Sequence, residues 1–330
     1  MSVASVSRVL NGHSNVRPAV RDRVQAAAAA LGYVPHAGAR NLSLARTNAI
    51  GVMLPDLHGE FFSETARGID GEASARGLQL LLSNAHANPA RAIETLRTMR
   101  GRVDGVIIMA PDLDPQEMFG HLPPSLPAVL INCRENPQHR AELRVDNVAG
   151  AEAMTEHLVA IGRRRIVHLA GAEGNQEAQA RVAGYRAVMA RHGLTPRVLP
   201  GDFLEESGVS AAEVLLRELE GSDAPDALFA ANDMMAIGAV MRLRRAGVDV
   251  PGRIAIAGFD DVPLARLISP ALTTMRVDIA GIGARAVVRL AALIAGEVDH
   301  AVEPRTPELI VRETTGAADH RKKPACREQG

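Results

Sequence analysis

Apolar and polar positions repeat in two different registers along this chain. At its start, Val3, Val6, Val9 and Leu10 recur at helical spacing and share one face, while Ser2, Ser5, Ser7 and Arg8 occupy the other. Asn11-Gly12 ends that segment in a way usual for helices. Arg17 to Gly32 reads as a second helix: Pro18 suits a first helical position, an alanine run favours the helix and Gly32 stops it. The extended Tyr33-Val34-Pro35 follows, because a residue before proline avoids the helical region. Residues 36–48 are small and polar. Within them Ala37–Leu42 is a short helix that Gly38 weakens by ~1 kcal/mol, which describes a hinge.

From Ala49 the register changes. Ala49–Leu54 is a short apolar run closed by Pro55-Asp56, a buried strand. A helix over 60–76, a strand at Leu78–Leu82, a helix over 89–100 and strands at Val103–Met109 and Ala128–Ile131 follow. The pattern restarts near Asp146 with a helix over 147–162 and a strand at Ile166–Ala170. Helices over 177–193 and 207–219, a strand at Ala227–Ala230, a helix over 233–246 and a strand at Ile254–Phe259 complete it. Strand–helix alternation with wholly apolar strands predicts an α/β fold of parallel sheets flanked by helices. The strands are too many for one compact sheet, so two lobes are expected.

Composition adds little except at the amino end. The chain has 330 residues, 47% hydrophobic and 23% charged, with a formal net charge of -1. Residues 1–48 hold six arginines (Arg8, Arg17, Arg21, Arg23, Arg40, Arg46) against the single acid Asp22, a net of +5 on an otherwise acidic body. That asymmetry suits nucleic acid, although a solvated helix face explains it equally. Cys133 and Cys326 are far apart and form no disulfide or metal pattern, which fits a reducing cytoplasm. Neither a signal peptide nor a run of ~18 apolar residues is present, so no membrane span is expected. With no Trp and two Tyr, single-strand stacking is disfavoured.

Ligands of doubly wound sheets bind just beyond the carboxyl ends of strands. Polar residues gather there: Asp56, Asn84, His86, Asn132, Arg134, Asn232-Asp233 and Asp260-Asp261. They suit a polyhydroxyl ligand, but Asp or Asn after a strand also caps the next helix, and for Asp56 and Asp233 both readings stand. Motifs of nucleophilic, phosphate-cradling, zinc-protease or dinucleotide chemistry are missing, and the histidines never take metal-ligand spacing. No catalytic residue, metal ligand or cofactor is therefore expected. His157 reads as a partly buried or surface histidine, and Arg163–Arg165 as cations at a helix end or a phosphate contact.

In order along the chain stand Val6-Ser-Arg-Val-Leu-Asn11, Leu31-Gly-Tyr-Val-Pro35, Ala39-Arg-Asn-Leu42, Ile50-Gly-Val-Met-Leu-Pro-Asp56 and Arg102-Val-Asp-Gly-Val106. Val145-Asp-Asn147, Arg181-Val-Ala-Gly-Tyr185, Ala231-Asn-Asp233, Gly258-Phe-Asp-Asp261 and Pro270-Ala-Leu-Thr-Thr274 follow. Together they resemble the LacI/GalR family of bacterial transcription regulators, from Ser2 to about Thr315.

The resemblance implies a helix-turn-helix headpiece over 1–35, a hinge over 36–48 and an effector-binding core over 49–315. The core is like periplasmic sugar-binding proteins. Its N-lobe takes 49–146 and 276–304, its C-lobe 147–275 and 305–315, and the tail over 316–330 is expected to be disordered. Val3 and Ala4 fall at base-reading positions, Ser2, Ser5, Ser7 and Asn11 at phosphate or sugar contacts, and Arg8 at a base or backbone contact. Leu42 matches the leucine that wedges into the minor groove. In the cleft, Arg181, Asn232 and Asp260 match ligand contacts, Phe61 a stacking position, and Asn132, Asn175 and Glu177 specificity positions. The implied partners are operator DNA, a sugar-like effector and a second copy of the chain. The implied function is effector-controlled transcriptional regulation, usually repression, in the cytoplasm and on the nucleoid. The family carries a first helix and tight turn ahead of this point, so the expected start lies upstream of Met1. If the chain truly begins here, the alternative is a small-molecule binding protein that has lost specific DNA binding.

Overall fold

The computed structural model describes residues 2–10, 15–33, 46–85, 88–111, 120–133, 136, 140–221 and 223–316. Met1, Asn11, residues 36–45 of the hinge with Leu42, His86, Arg134 and the tail from 317 lie outside the described residues, as does the side chain of Val3.

Two short helices open the chain, α1 (Val3–Leu10) and α2 (Pro18–Ala30), and they pack together. Val9 and Val24 are buried, Val6 and Leu10 half-buried, and Ala4, Ser7 and Arg8 exposed. The apolar spacing of the first helix therefore marks its inward face.

The first lobe is a six-stranded sheet in the order β11-β5-β4-β3-β1-β2, every pair parallel. Its strands are β1 (Ala49–Leu54), β2 (Gln79–Asn84), β3 (Gly105–Met109), β4 (Ala128–Ile131), β5 (Ala141–Val145) and β11 (Val302–Arg305). Helices α3 (Glu60–Ala75), α4 (Pro89–Met99) and α9 (Ile279–Ile294) cover it. Ile50, Val52, Ile107 and Val129 are wholly buried, as a strand covered on both faces requires. Where the chain enters this lobe, Asp104 holds it: the carboxylate accepts the N–H of Thr47 at 2.7 Å and of Asn48 at 2.8 Å, and the Thr47 hydroxyl at 2.9 Å.

The second lobe is a four-stranded parallel sheet, β7-β6-β8-β9, formed by β6 (Ile166–Leu169), β7 (Arg197–Leu199), β8 (Ala227–Ala230) and β9 (Ala255–Ala257). Its helices are α5 (Asn147–Ala160), α6 (Gln176–Arg191), α7 (Glu205–Glu218) and α8 (Asp233–Arg245). A small antiparallel pair, β10 (Thr274–Arg276) with β12 (Glu308–Ile310), lies beside it and departs from the all-parallel expectation. The chain passes between lobes at Asp146, between β10 and α9, and between β11 and β12.

Several elements escape the apolar-run pattern. Strand β5 alternates, with Glu142 wholly buried against Arg144 at 2.8 Å. Helix α9 has no continuous polar face: Ile279, Ile282, Ala286, Val287 and Leu290 are buried, and buried Arg289 is matched by Asp299 at 2.7 Å. Helices α3 and α9 cross closely at Gly68, where a Cβ would lie 2.0 Å from the Ala280 carbonyl oxygen. Because backbone cannot yield as a flexible side chain does, Gly68→Ala is expected to destabilise the protein by about 1–3 kcal/mol. Urea denaturation followed by circular dichroism reads this directly, and an unchanged midpoint would contradict the close crossing.

Candidate functional site

A cavity of about 340 Å³ opens where the strands of both lobes end. Its lining follows their carboxyl termini: Asp56 after β1, Met109 and Pro111 at β3, Asn175 after β6, Asp202 and Phe203 after β7, Asn232 after β8 and Asp260 after β9. Of the cleft residues expected from the sequence, Phe61, Asn175, Glu177, Arg181, Asn232 and Asp260 line this one space.

Arg181 is its centre. The side chain leaves α6 and is buried. Nε donates to Asn147 Oδ1 at 2.8 Å, and Nη1 donates to the Ala231 carbonyl. The guanidinium carbon sits 3.9 Å from the centre of the Phe259 ring and 6.0 Å from that of Phe203, a cation–π arrangement. Nη2 remains directed at acids, 3.7 Å from Asp260 and 4.0 Å from Glu177.

Asp260 is buried, and its Oδ1 has no hydrogen-bond partner among the described residues. Its backbone is at φ 114°, sparsely populated for a residue with a Cβ. The strand β10 holds it there, since Asp260 N–H donates to the Met275 carbonyl at 2.7 Å. Burial pushes the carboxyl up to about 7, with Arg181 opposing and Glu177 adding to the rise. An unpaired buried oxygen is costly unless a donor arrives.

The two asparagines also build helices. Asn175 Oδ1 accepts N–H groups of Glu177 at 2.9 Å and Ala178 at 3.0 Å, capping α6. Asn232 Oδ1 accepts Met235 N–H at 3.0 Å, capping α8, and its amide donates to the Phe203 carbonyl at 2.9 Å. The open question over Asp233 resolves here: Asn232 is the cap, and buried Asp233 accepts the Thr274 hydroxyl at 2.5 Å and Val262 N–H at 2.9 Å. Burial and the nearby Asp260 raise its carboxyl well above the ordinary range. Asp56 caps no helix. It accepts Leu57 N–H at 2.6 Å in its own turn and still lines the cavity.

Asn132 lies elsewhere. It borders an adjoining cavity of about 310 Å³, also bordered by Glu177. Its amide donates to Glu177 Oε1 at 2.7 Å, its Oδ1 accepts Val145 N–H at 2.8 Å, and its carbonyl accepts Gln176 Nε2 at 2.9 Å. Its side chain thus holds Glu177 in place. Arg163–Arg165 turn inward to backbone carbonyls of Pro251, Val159 and Ala224 at 2.6–2.7 Å. His157 pairs with the Thr315 hydroxyl at 2.9 Å.

Sequence reasoning missed His58, Asp202, Phe203 and Met234 in the lining. Phe203 follows a strand too short and too exposed to show as an apolar run. Its ring seats on Gly171, where a Cβ would fall 2.0 Å away. Phe61 and Phe62 form the other aromatic wall, edge to face with centroids 5.4 Å apart.

The second place of interest is the exposed face of α1. Ser2 accepts Ser5 N–H at 3.2 Å, so its hydroxyl caps the helix. Ala4, Ser7 and Arg8 are exposed, and Ser5 is half-buried. Among the described residues no cluster of His, Cys, Asp or Glu is arranged for a metal, and no helix is long and apolar enough to cross a membrane.

Comparison with known proteins adds the following. Residues 1–36 match the family described as "Bacterial regulatory proteins, lacI family", and residues 155–315 a periplasmic binding protein-like domain. The chain is 31% identical over 321 residues to catabolite control protein A of Priestia megaterium, covering 96% of each. It is 32% identical over 280 residues to the ribose operon repressor of Escherichia coli K12, covering 83% of this chain and 84% of that one. The lac repressor dimer bound to operator and the anti-inducer ONPF has the same architecture, with a TM-score of 0.85, 28% identity and 96% of each chain covered.

Asp260 yields a pH prediction. Its carboxyl titrates at about 7 in the folded chain against an ordinary 3.8, so the folded state holds a proton that the unfolded state has lost. The contribution of this group to stability is thus fully present below about pH 4 and is lost as pH rises through about 7, a change on the order of 4 kcal/mol. Asp260→Asn removes that component. Its melting temperature should exceed that of the unaltered chain at pH 8, with the gap closing towards pH 4. A constant gap across that range would show that Asp260 is not the titrating group.

Proposed function

The chain belongs to the lacI family of bacterial regulatory proteins and is a DNA-binding transcriptional regulator, and from that premise we propose that it represses under the control of a sugar or sugar derivative held between its lobes. The observation that carries the effector reading is the unpartnered Asp260 oxygen beside Arg181, in a cavity with Phe walls. A carboxylate accepts hydroxyl protons, a guanidinium donates to hydroxyl oxygens, and phenyl rings cover the C–H face of a sugar. The relative named for the ribose operon is consistent with this chemistry.

Asp260, Arg181, Asn232 and Asn175 hold the ligand, with Glu177 set by Asn132 and Phe61 stacking. Both lobes line the cavity, so a ligand that prefers one lobe arrangement shifts the population towards it. The core over 49–315 passes that preference through the hinge over 36–48 to the headpiece over 1–35. On DNA, Val3 and Ala4 meet base edges, Arg8 forks onto guanine, and Ser2, Ser5, Ser7 and Asn11 meet phosphate or sugar. Ser2 also fixes the helix end. Leu42 enters the minor groove. The working unit is a homodimer on a two-fold operator.

Arg8→Ala is expected to weaken operator binding by about 1–3 kcal/mol, as loss of a base contact does. Fluorescence anisotropy with palindromic and scrambled duplexes checks it. The unaltered chain should prefer the palindrome, and its affinity should fall with salt. Equal affinity for both duplexes would overturn the reading.

A further inference from the structure

Charge around the cleft is lopsided. Asp56, Glu177, Asp202 and Asp260 line it, and among the described lining residues Arg181 is the sole guanidinium. Arg181 is largely engaged by Asn147 and Ala231, and its remaining nitrogen already faces Asp260 and Glu177. His58, also in the lining, lies 3.6 Å from Glu205.

The helix ends reinforce this. A helix N-terminus carries partial positive charge and free N–H groups, and it is a common seat for phosphate or carboxylate. Four helices, α3, α6, α7 and α8, begin at the cleft, where Gly59, Asn175, Leu204 and Asn232 precede them in the lining. Each carries its own acid in the first turn: Glu60, Glu177, Glu205 with Glu206, and Asp233. Asn175 and Asn232 already bond N–H groups of α6 and α8. The N–H groups at the start of α6 and α8 are thus taken by the protein's own amides, while α3 and α7, which have no side-chain cap, set Glu60 and Glu205 with Glu206 against an incoming anion.

The unmet need points the same way. The Asp260 oxygen lacks a donor. A hydroxyl can donate to Asp260 or accept from it, whichever state the carboxyl is in, whereas a phosphate dianion or a carboxylate offers only acceptors and meets like charge once Asp260 is ionised.

We propose that the cleft takes an uncharged polyhydroxyl ligand and rejects the phosphorylated and carboxylated forms of the same compound. This rests on the effector reading above and goes further by assigning charge. It sets the protein to sense a sugar before it is phosphorylated or oxidised, so any kinase or dehydrogenase acting on that sugar removes the signal.

The chain contains no Trp, so Phe61→Trp places a single indole fluorophore in the cavity wall. This variant is titrated with pentoses, hexoses, disaccharides and nucleosides, each beside its phosphate and its sugar acid. Thermal shift of the unaltered chain with the same compounds provides a second readout should the variant fold poorly. The expected result is that a neutral compound binds and its phosphate and acid bind about tenfold or more weakly. A phosphate or acid that binds as tightly as its neutral partner, or more tightly, overturns the charge assignment and leaves the polyol reading standing. A panel in which no member binds by either readout overturns both.

Discussion

A guanidinium taken out of water must have every face answered, and the second lobe is arranged around that demand. Arg181 is met by the Asn147 side chain, the Ala231 carbonyl, the Phe259 ring and two carboxylates. These partners come from the start of α5, the end of β8, the loop after β9 and the first turn of α6. Removing Arg181 itself would leave Asp260 and Glu177 as buried acids without a counter-charge, which typically costs more than the pairing contributes. The same residue lines the cavity between the lobes, so the group that organises this part of the lobe also faces the cleft.

A short polar chain bridges the lobes. Asn132, at the end of β4 in the first lobe, grips Glu177 and Gln176 on α6 of the second. Glu177 then faces both cavities and reaches towards Arg181. On another side, Glu60 accepts Leu264 N–H at 2.9 Å across the cleft. A ligand that engages Arg181 and Asp260 therefore acts beside the contacts that set the lobe arrangement. Asp104 anchors the other end, where the chain from the hinge joins β1. The cleft and the root of the hinge thus belong to one packed body, in which coupling between them has a physical path.

Much of this was legible before any coordinates. Strands such as Ile50–Leu54 and Ala227–Ala230 are buried on both faces and must be apolar runs, so they announce themselves. Strand β5 does not, because its buried Glu142 is excused by Arg144 across a gap of two residues. Helix α9 is harder to see because its half-buried positions, such as Ala280, Ala284, Val288 and Ala291, are apolar too, so its buried face stands out little by polarity. Of the cleft, Arg181, Asn232 and Asp260 could be named from motifs, whereas Asp202 and Phe203 could not, since they sit in a loop after a three-residue strand.

By itself the sequence determined the alternation of strands and helices, the two-lobed α/β class, the amphipathic first helix and the ordered family motifs, because each depends on spacing along the chain. Only the tertiary structure decided which polar residues at the strand ends stay open to a ligand. Asn132 is diverted to Glu177 and Asp233 to Thr274 and Val262, whereas Asp260 keeps a buried oxygen without a hydrogen-bond partner among the described residues. Whether a polar group is satisfied depends on neighbours distant in the chain, and that is information no local pattern holds.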